Sequence, residues 1–93
     1  RLNQDRIDEG LEQLDGWACI AAHHLVKRYD FANFVDAQAF VNKVGAAAEE
    51  QDHHPEITFG WGYAQIEIYT HSAGGITAKD FQLAAAADKA YGP

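Results

Sequence analysis

Three of the five histidines of this 93-residue chain fall in one window whose residue types are suited to moving protons. Glu49 precedes the run His53-His54-Pro55, Trp61 lies six residues beyond the proline, and His71 and Asp80 close the window. Imidazole, with an ordinary pKa of about 6.5, gives and accepts protons near neutrality. A small domain that gathers three imidazoles reads as a proton-transfer site, a metal site or a pH switch. The plain role for one histidine at a helix C-terminus is capping or an interaction with the helix dipole. Two adjacent histidines held by a proline, with a third at a strand end, go beyond that role. His23 and His24 do not, because they fall at a hairpin turn with no acid or proline beside them.

Three imidazoles can hold zinc with one position left open. Adjacent ligands fit a single ion poorly, however, and no spacing selects Glu49, Asp52 or Glu56 as a fourth ligand, so no metal is expected. Cys19 is the only cysteine, which rules out an internal disulfide and a cysteine zinc site. It reads as a small buried hydrophobe. Asp80 closes a capping box opened by Thr77. Trp61 is either core or a substrate platform, and Tyr69 reads as an exposed strand residue. Glu49 is either part of a solvated helix face or the carboxylate that orients a histidine.

The elements that must position these residues follow from periodicity and turn chemistry. In residues 3–15, Ile7, Leu11 and Leu14 recur at helical spacing, with Gly16 where a C′ glycine belongs. Residues 17–22 and 24–31 read as two short antiparallel strands, joined at Ala21-Ala22-His23 by a turn that lacks glycine. Asn33 caps a long helix with Asp36 in its first turn. Its apolar stripe is Phe34, Ala37, Val41, Val44 and Ala48, widened by Phe40 and Ala47. Pro55 pushes His54 out of helical geometry, so the helix ends before it. Residues 57–61 and 64–70 read as two further strands, the second with Ile66 and Ile68 on one face and Gln65, Glu67 and Tyr69 on the other. Gly74-Gly75 turns the chain into a last helix that carries Phe81, Ala84, Ala87, Asp88 and Tyr91 along one side.

The order is α-β-β-α-β-β-α, which predicts a single α+β domain over residues 1–93, with a four-stranded antiparallel sheet and helices packed on one face. If both hairpins share the sheet, His53, His54 and His71 converge on one edge of it.

Ninety-three residues suffice for one domain and not for two. A domain this small buries only about 60–65% of its unfolded surface, and 47% hydrophobic residues leave apolar surface for self-association. A net charge of −7 with scattered basic residues argues against nucleic acid. No apolar run approaches the roughly 20 residues that span a bilayer, so no membrane association is expected. Arg1-Leu2-Asn3 does not begin a signal peptide, and without an initiator Met the chain reads as trimmed. A reducing cytoplasm is the default compartment.

Taken together, Glu49, His53-His54-Pro55, Trp61, His71 and Asp80 resemble the signature of the pterin-4a-carbinolamine dehydratase family. Glu50-Gln51-Asp52-His53-His54-Pro55-Glu56 is the most specific segment, and Gly16-Trp17 and Phe40 are also similar to the family. The resemblance spans the whole chain, with matching length and element order. Two positions depart from it: Ile57, where many members place Trp, and the glycine-rich Gly60-Trp61-Gly62. Neither touches the three histidines.

The resemblance implies dehydration of 4a-hydroxytetrahydropterin, the product of aromatic amino acid hydroxylases, to quinonoid dihydropterin in tetrahydrobiopterin recycling. It implies no metal and no organic cofactor. His53, His54 and His71 would line the pterin pocket, flanked by Asp52, Thr70 and Ser72. Glu49, Trp61 and Asp80 would support them. Expelling the hydroxyl needs a general acid and forming the new double bond needs a base, which makes His53 and His71 the expected acid/base pair and His54 a substrate binder. The family also implies a homodimer or homotetramer, with the long helix packing against other subunits. Some relatives bind a homeodomain transcription factor as dimerisation cofactors, and others assist different pterin or molybdopterin pathways. An interaction module or a different pterin are therefore the alternatives to the enzyme.

Overall fold

The structure is a computed structural model and describes residues 1–92. The first helix, α1 (Gln4–Glu12), is capped by the Asn3 side chain, which accepts the Arg6 backbone N–H at 3.0 Å. Ile7 is its buried residue. The helix stops at Glu12, where the Gln13 N–H bonds the Gly10 carbonyl and the Leu14 N–H the Leu11 carbonyl, short of the expected Asp15. Gly16 is therefore not the residue that ends it. Its φ of 78° serves the bend into the first strand, packed so closely that an added Cβ would sit 3.1 Å from Lys27 Cε.

Strands β1 (Ala18–Ile20) and β2 (His24–Asp30) form the first hairpin. Its turn is made by Ala21 and Ala22, both at φ 54°, and closed by the His23 N–H on the Ile20 carbonyl at 2.9 Å. Positive φ at two consecutive turn residues suits the twist of a tight hairpin and is normally left to Asn or Gly. With alanine it costs roughly 1–2 kcal/mol per residue, so cross-strand packing rather than the turn sets the register Ala18↔Val26.

The long helix α2 (Phe34–Gln51) starts at Asn33, whose side chain accepts the Asp36 N–H at 2.8 Å. Ala37, Phe40, Val44 and Ala48 face the core at helical spacing. Phe34, expected in that stripe, is instead exposed and lies against Phe59 of the third strand, while Val41 is half-buried.

Strands β3 (Glu56–Gly60) and β4 (Tyr63–Ile68) form the second hairpin, and the sheet order is β1-β2-β4-β3, antiparallel throughout. Ala64, Ile66 and Ile68 alternate inward. The final helix, α3 (Ala78–Tyr91), buries Asp80, Leu83, Ala84 and Ala87. Leu83 and Asp80 occupy the inner positions, while Phe81 is only half-buried and Tyr91 is exposed. Phe81 packs on Gly10 of α1, where even a methyl group would approach the ring to 2.5 Å. The fold is thus the expected single α+β domain, with its helices on one face of the sheet. Leu25, Ile66, Ile68, Ile76 and Leu83 are completely buried, each contributing about 1.5–3 kcal/mol of hydrophobic stabilisation.

This topology brings the histidines together. Pairing of Glu56 with Glu67 sets the start of β3 beside the end of β4. The residues just before β3, His53 to Pro55, therefore lie next to those just after β4, Tyr69 to Ser72. Among the described residues no helix is long and apolar enough to cross a membrane.

Candidate active site

Three chain ends meet at this edge: the exit of α2, the exit of β4 and the entrance of α3. The exit of α2 is a left-handed turn at Asp52, φ 51° and ψ 44°. The Asp52 N–H bonds the Glu49 carbonyl at 3.2 Å and the His53 N–H bonds the Ala48 carbonyl at 3.0 Å. This is the paired closure of a Schellman motif, formed here without glycine. The turn sends the two adjacent imidazoles to different environments, with His53 buried and His54 exposed. After β4, Thr70 pairs with Gly75 across a short 3-10 turn, His71–Ala73, which holds His71 at the surface. That turn was not foreseen from the sequence.

These pieces enclose a cavity of about 400 Å³, within the usual range of roughly 300–1,000 Å³ for small-molecule sites. Asp52, His53, His54, Thr70, His71 and Ser72, all singled out from the sequence, line it. Tyr69 and Lys79 line it as well. Lys79 sits inside the capping sequence and Tyr69 reads as a strand residue, so neither carries a local signal for a site.

Asp80 is fully buried and receives three donors. His53 Nε2 lies 2.6 Å from Oδ1, while the Thr70 hydroxyl, at 2.9 Å, and the Thr77 backbone N–H, at 2.7 Å, both donate to Oδ2. The capping role and the support of a histidine, opposed in the sequence, are one arrangement. A carboxylate on Nε2 places the imidazole proton there and leaves Nδ1 as the nitrogen available for exchange.

Glu49 contacts Nε2 of His54, and both side chains are more than half exposed. The carboxylate one turn back therefore serves the outer histidine and not the buried one. His71 has no side-chain hydrogen bond among the described residues; its ring stacks on Tyr69, centroids 4.2 Å apart. Trp61 lies at the far end of the β3–β4 hairpin, 73% exposed, and lines no part of the cavity. It is not a core residue. Among the described residues, no three His, Cys, Asp or Glu side chains are grouped to hold a metal ion. Cys19, away from the cavity, has its thiol pKa raised chiefly by burial.

The cavity lining thus holds an imidazole locked to a buried carboxylate and an unlocked imidazole at the surface. Such a pair can give one proton to a bound molecule and take another from it.

The family described as "Pterin 4 alpha carbinolamine dehydratase" matches residues 1–90. The chain is 46% identical over 88 residues to a Rubrobacter xylanophilus protein named "Putative pterin-4-alpha-carbinolamine dehydratase", covering 95% of this chain and 82% of that one. A Halorhodospira halophila protein of the same name is 40% identical, covering 94% of this chain and 81% of that one. Among solved structures, a "transcriptional coactivator/pterin dehydratase" from Brucella melitensis superposes with a TM-score of 0.95 at 29% identity, over 99% of both chains. A "pterin dehydratase-like protein", described as a RuBisCO assembly factor in the alpha-carboxysome, superposes with a TM-score of 0.64 at 28% identity, over 74% of this chain and 80% of that one.

Proposed function

We propose that this chain, which belongs to the pterin 4 alpha carbinolamine dehydratase family of hydro-lyases, removes water from 4a-hydroxytetrahydropterin to give quinonoid dihydropterin. The observation that carries the reading is a cavity lined both by His53, held on the Asp80 carboxylate, and by His71.

In this reading His53 is the base. Its Nε2–H is committed to Asp80, so Nδ1 takes the ring-nitrogen proton, and the buried carboxylate stabilises the imidazolium that forms. His71, as imidazolium, protonates the departing 4a-hydroxyl, which leaves as water while the ring gains its double bond. Solvent then resets both imidazoles. Each proton transfer is worth about 10²–10⁴-fold, which suffices for a carbinolamine that already decomposes unaided. His54, held by Glu49, and the flanking Asp52, Thr70 and Ser72 orient the pterin. The reaction serves tetrahydrobiopterin recycling for an aromatic amino acid hydroxylase. Self-association to a dimer or tetramer completes the proposal, supported by the unpaired edges of β1 and β3 and by exposed Ile20, Phe34 and Val35.

The alternative, a protein-interaction module, is favoured by the coactivator and assembly roles in the titles of the two solved structures. An interaction module has no use for a histidine held by a buried carboxylate at a cavity wall.

The test follows decay of freshly generated 4a-hydroxytetrahydropterin by absorbance. The protein accelerates it, and His53→Ala and His71→Ala each lower that acceleration by at least about tenfold with the circular dichroism unchanged. Full acceleration in both variants would overturn the acid/base assignment. No acceleration by the folded wild type would shift the weight to a different pterin or to the interaction module.

A further inference from the structure

His53 and His54 each have a carboxylate on Nε2, whereas His71 has none among the described residues. The geometry points to a different device for His71: Tyr69, backed by His23, positions its imidazole by stacking. The inference rests on the dehydratase reading of the site and adds two positioning residues to it.

The rings form a continuous file along the sheet edge. Tyr69 and His71 have centroids 4.2 Å apart with planes inclined at 42°, and His23 and Tyr69 are 4.5 Å apart at 41°. The His23–Tyr69 separation falls at the close end of the range, about 4.5–7 Å, in which aromatic pairs attract beyond simple burial, and the Tyr69–His71 separation is slightly shorter. The file is anchored at its outer end. Nδ1 of His23 and Nδ1 of His24 are 3.3 Å apart, so one donates and the other accepts, and Nε2 of His24 lies 3.2 Å from Glu67 Oε1.

The backbone explains the file. Pairing of Leu25 with Ile68 puts the neighbouring positions His24 and Tyr69 side by side on the sheet face away from the helices. The left-handed pair Ala21-Ala22 ends directly at His23. The Tyr69 hydroxyl has no hydrogen-bond partner among the described residues, so the ring alone carries the contact.

His71 starts a three-residue turn at the surface, where an imidazole with no hydrogen bond samples several rotamers. A stacked ring on its inner side narrows that set, and catalysis is sensitive to displacements of about 1 Å in a reacting group. His23 and His24, which looked like ordinary turn residues, thereby acquire a part in the site.

Two readouts test this. Imidazole proton resonances of His71 carry an upfield ring-current shift that is lost in Tyr69→Ala, kept in Tyr69→Phe and reduced in His23→Ala. In the dehydration assay Tyr69→Ala lowers kcat by about three- to tenfold, in line with losing one aromatic contact, while KM changes less than kcat. Tyr69→Phe restores kcat, and His23→Ala falls between. Unmoved His71 resonances in Tyr69→Ala, a Tyr69→Phe variant as slow as Tyr69→Ala, or a His23→Ala variant unchanged in both readouts would overturn the inference. A wild type with no dehydratase activity would refute the proposed function alone, since the resonance arm still decides whether the stack positions His71.

Discussion

Two aspartates eight positions apart on α3 each receive three kinds of donor, yet only one holds a side chain that lines the candidate cavity. At the helix entrance, fully buried Asp80 holds an imidazole, a threonine hydroxyl and a backbone N–H. Near the other end, Asp88 Oδ1 accepts from Lys27 Nζ at 2.8 Å and from the Tyr29 hydroxyl at 2.5 Å, and Oδ2 accepts from Trp17 Nε1 at 3.1 Å. Lys27 also donates to the Asp15 carbonyl at 2.7 Å, so this cluster ties α3, β2 and the segment after α1 together. The donors at Asp88 are an ammonium, a phenol and an indole, whereas one partner of Asp80 is an imidazole, the side-chain type suited to proton exchange. Hydrogen bonds and burial alone do not mark a functional carboxylate. What distinguishes Asp80 is that its partner His53 lines a cavity.

The largest expected effect comes from breaking the entrance cluster. Asp80→Ala leaves His53, Thr70 and the Thr77 N–H without their acceptor in a buried setting and is expected to cost about 3–5 kcal/mol of stability in denaturant unfolding. That is a large share of the stability of so small a domain. Asp88→Ala strands the Tyr29 hydroxyl and the Trp17 indole, but its site is a quarter open to water. A smaller loss of about 1–3 kcal/mol is expected in the same measurement. Equal losses would erase the contrast between the two ends of α3.

The third effect is confined to alkaline pH. Burial, reinforced by the hydrogen bond and negative charge of Asp88, raises the Tyr29 pKa well above its ordinary value of 10.0. A raised folded-state pKa gives stability that is complete below the unfolded value and is lost as pH rises toward the folded one. The unfolding free energy should therefore fall by up to about 1.4 kcal/mol per pH unit above about pH 10. Tyr29→Phe should flatten that decline, and an unchanged slope in the variant would place its cause elsewhere.

Much of this was legible in the sequence, for identifiable reasons. Strong periodicity in β4 and α2, the caps at Asn33 and Thr77, and Pro55 after the two histidines fix the element order and the place where the site residues gather. Left-handed conformation at alanine and aspartate was not legible. Ala21, Ala22 and Asp52 carry no local signal for it, because packing elsewhere imposes it. Gly16 shows the reverse case, a glycine of the right type at the wrong distance from the helix end. Phe34 and Trp61, both apolar, face solvent, since a periodic stripe does not reveal where the core stops. The stack of His23 on Tyr69 depends on the pairing of β2 with β4, which no local pattern encodes.

The most direct test of the contrast measures the decay of freshly generated 4a-hydroxytetrahydropterin with wild type, Asp88→Ala and Asp80→Asn, at a temperature where all three are folded. The account predicts equal acceleration by wild type and Asp88→Ala. Asp80→Asn, which keeps the shape but removes the charge that fixes the His53 proton on Nε2, should be slower by at least about tenfold. Equal activity in all three, or equal losses in both variants, would contradict the assignment of Asp80 as the carboxylate that makes His53 a base.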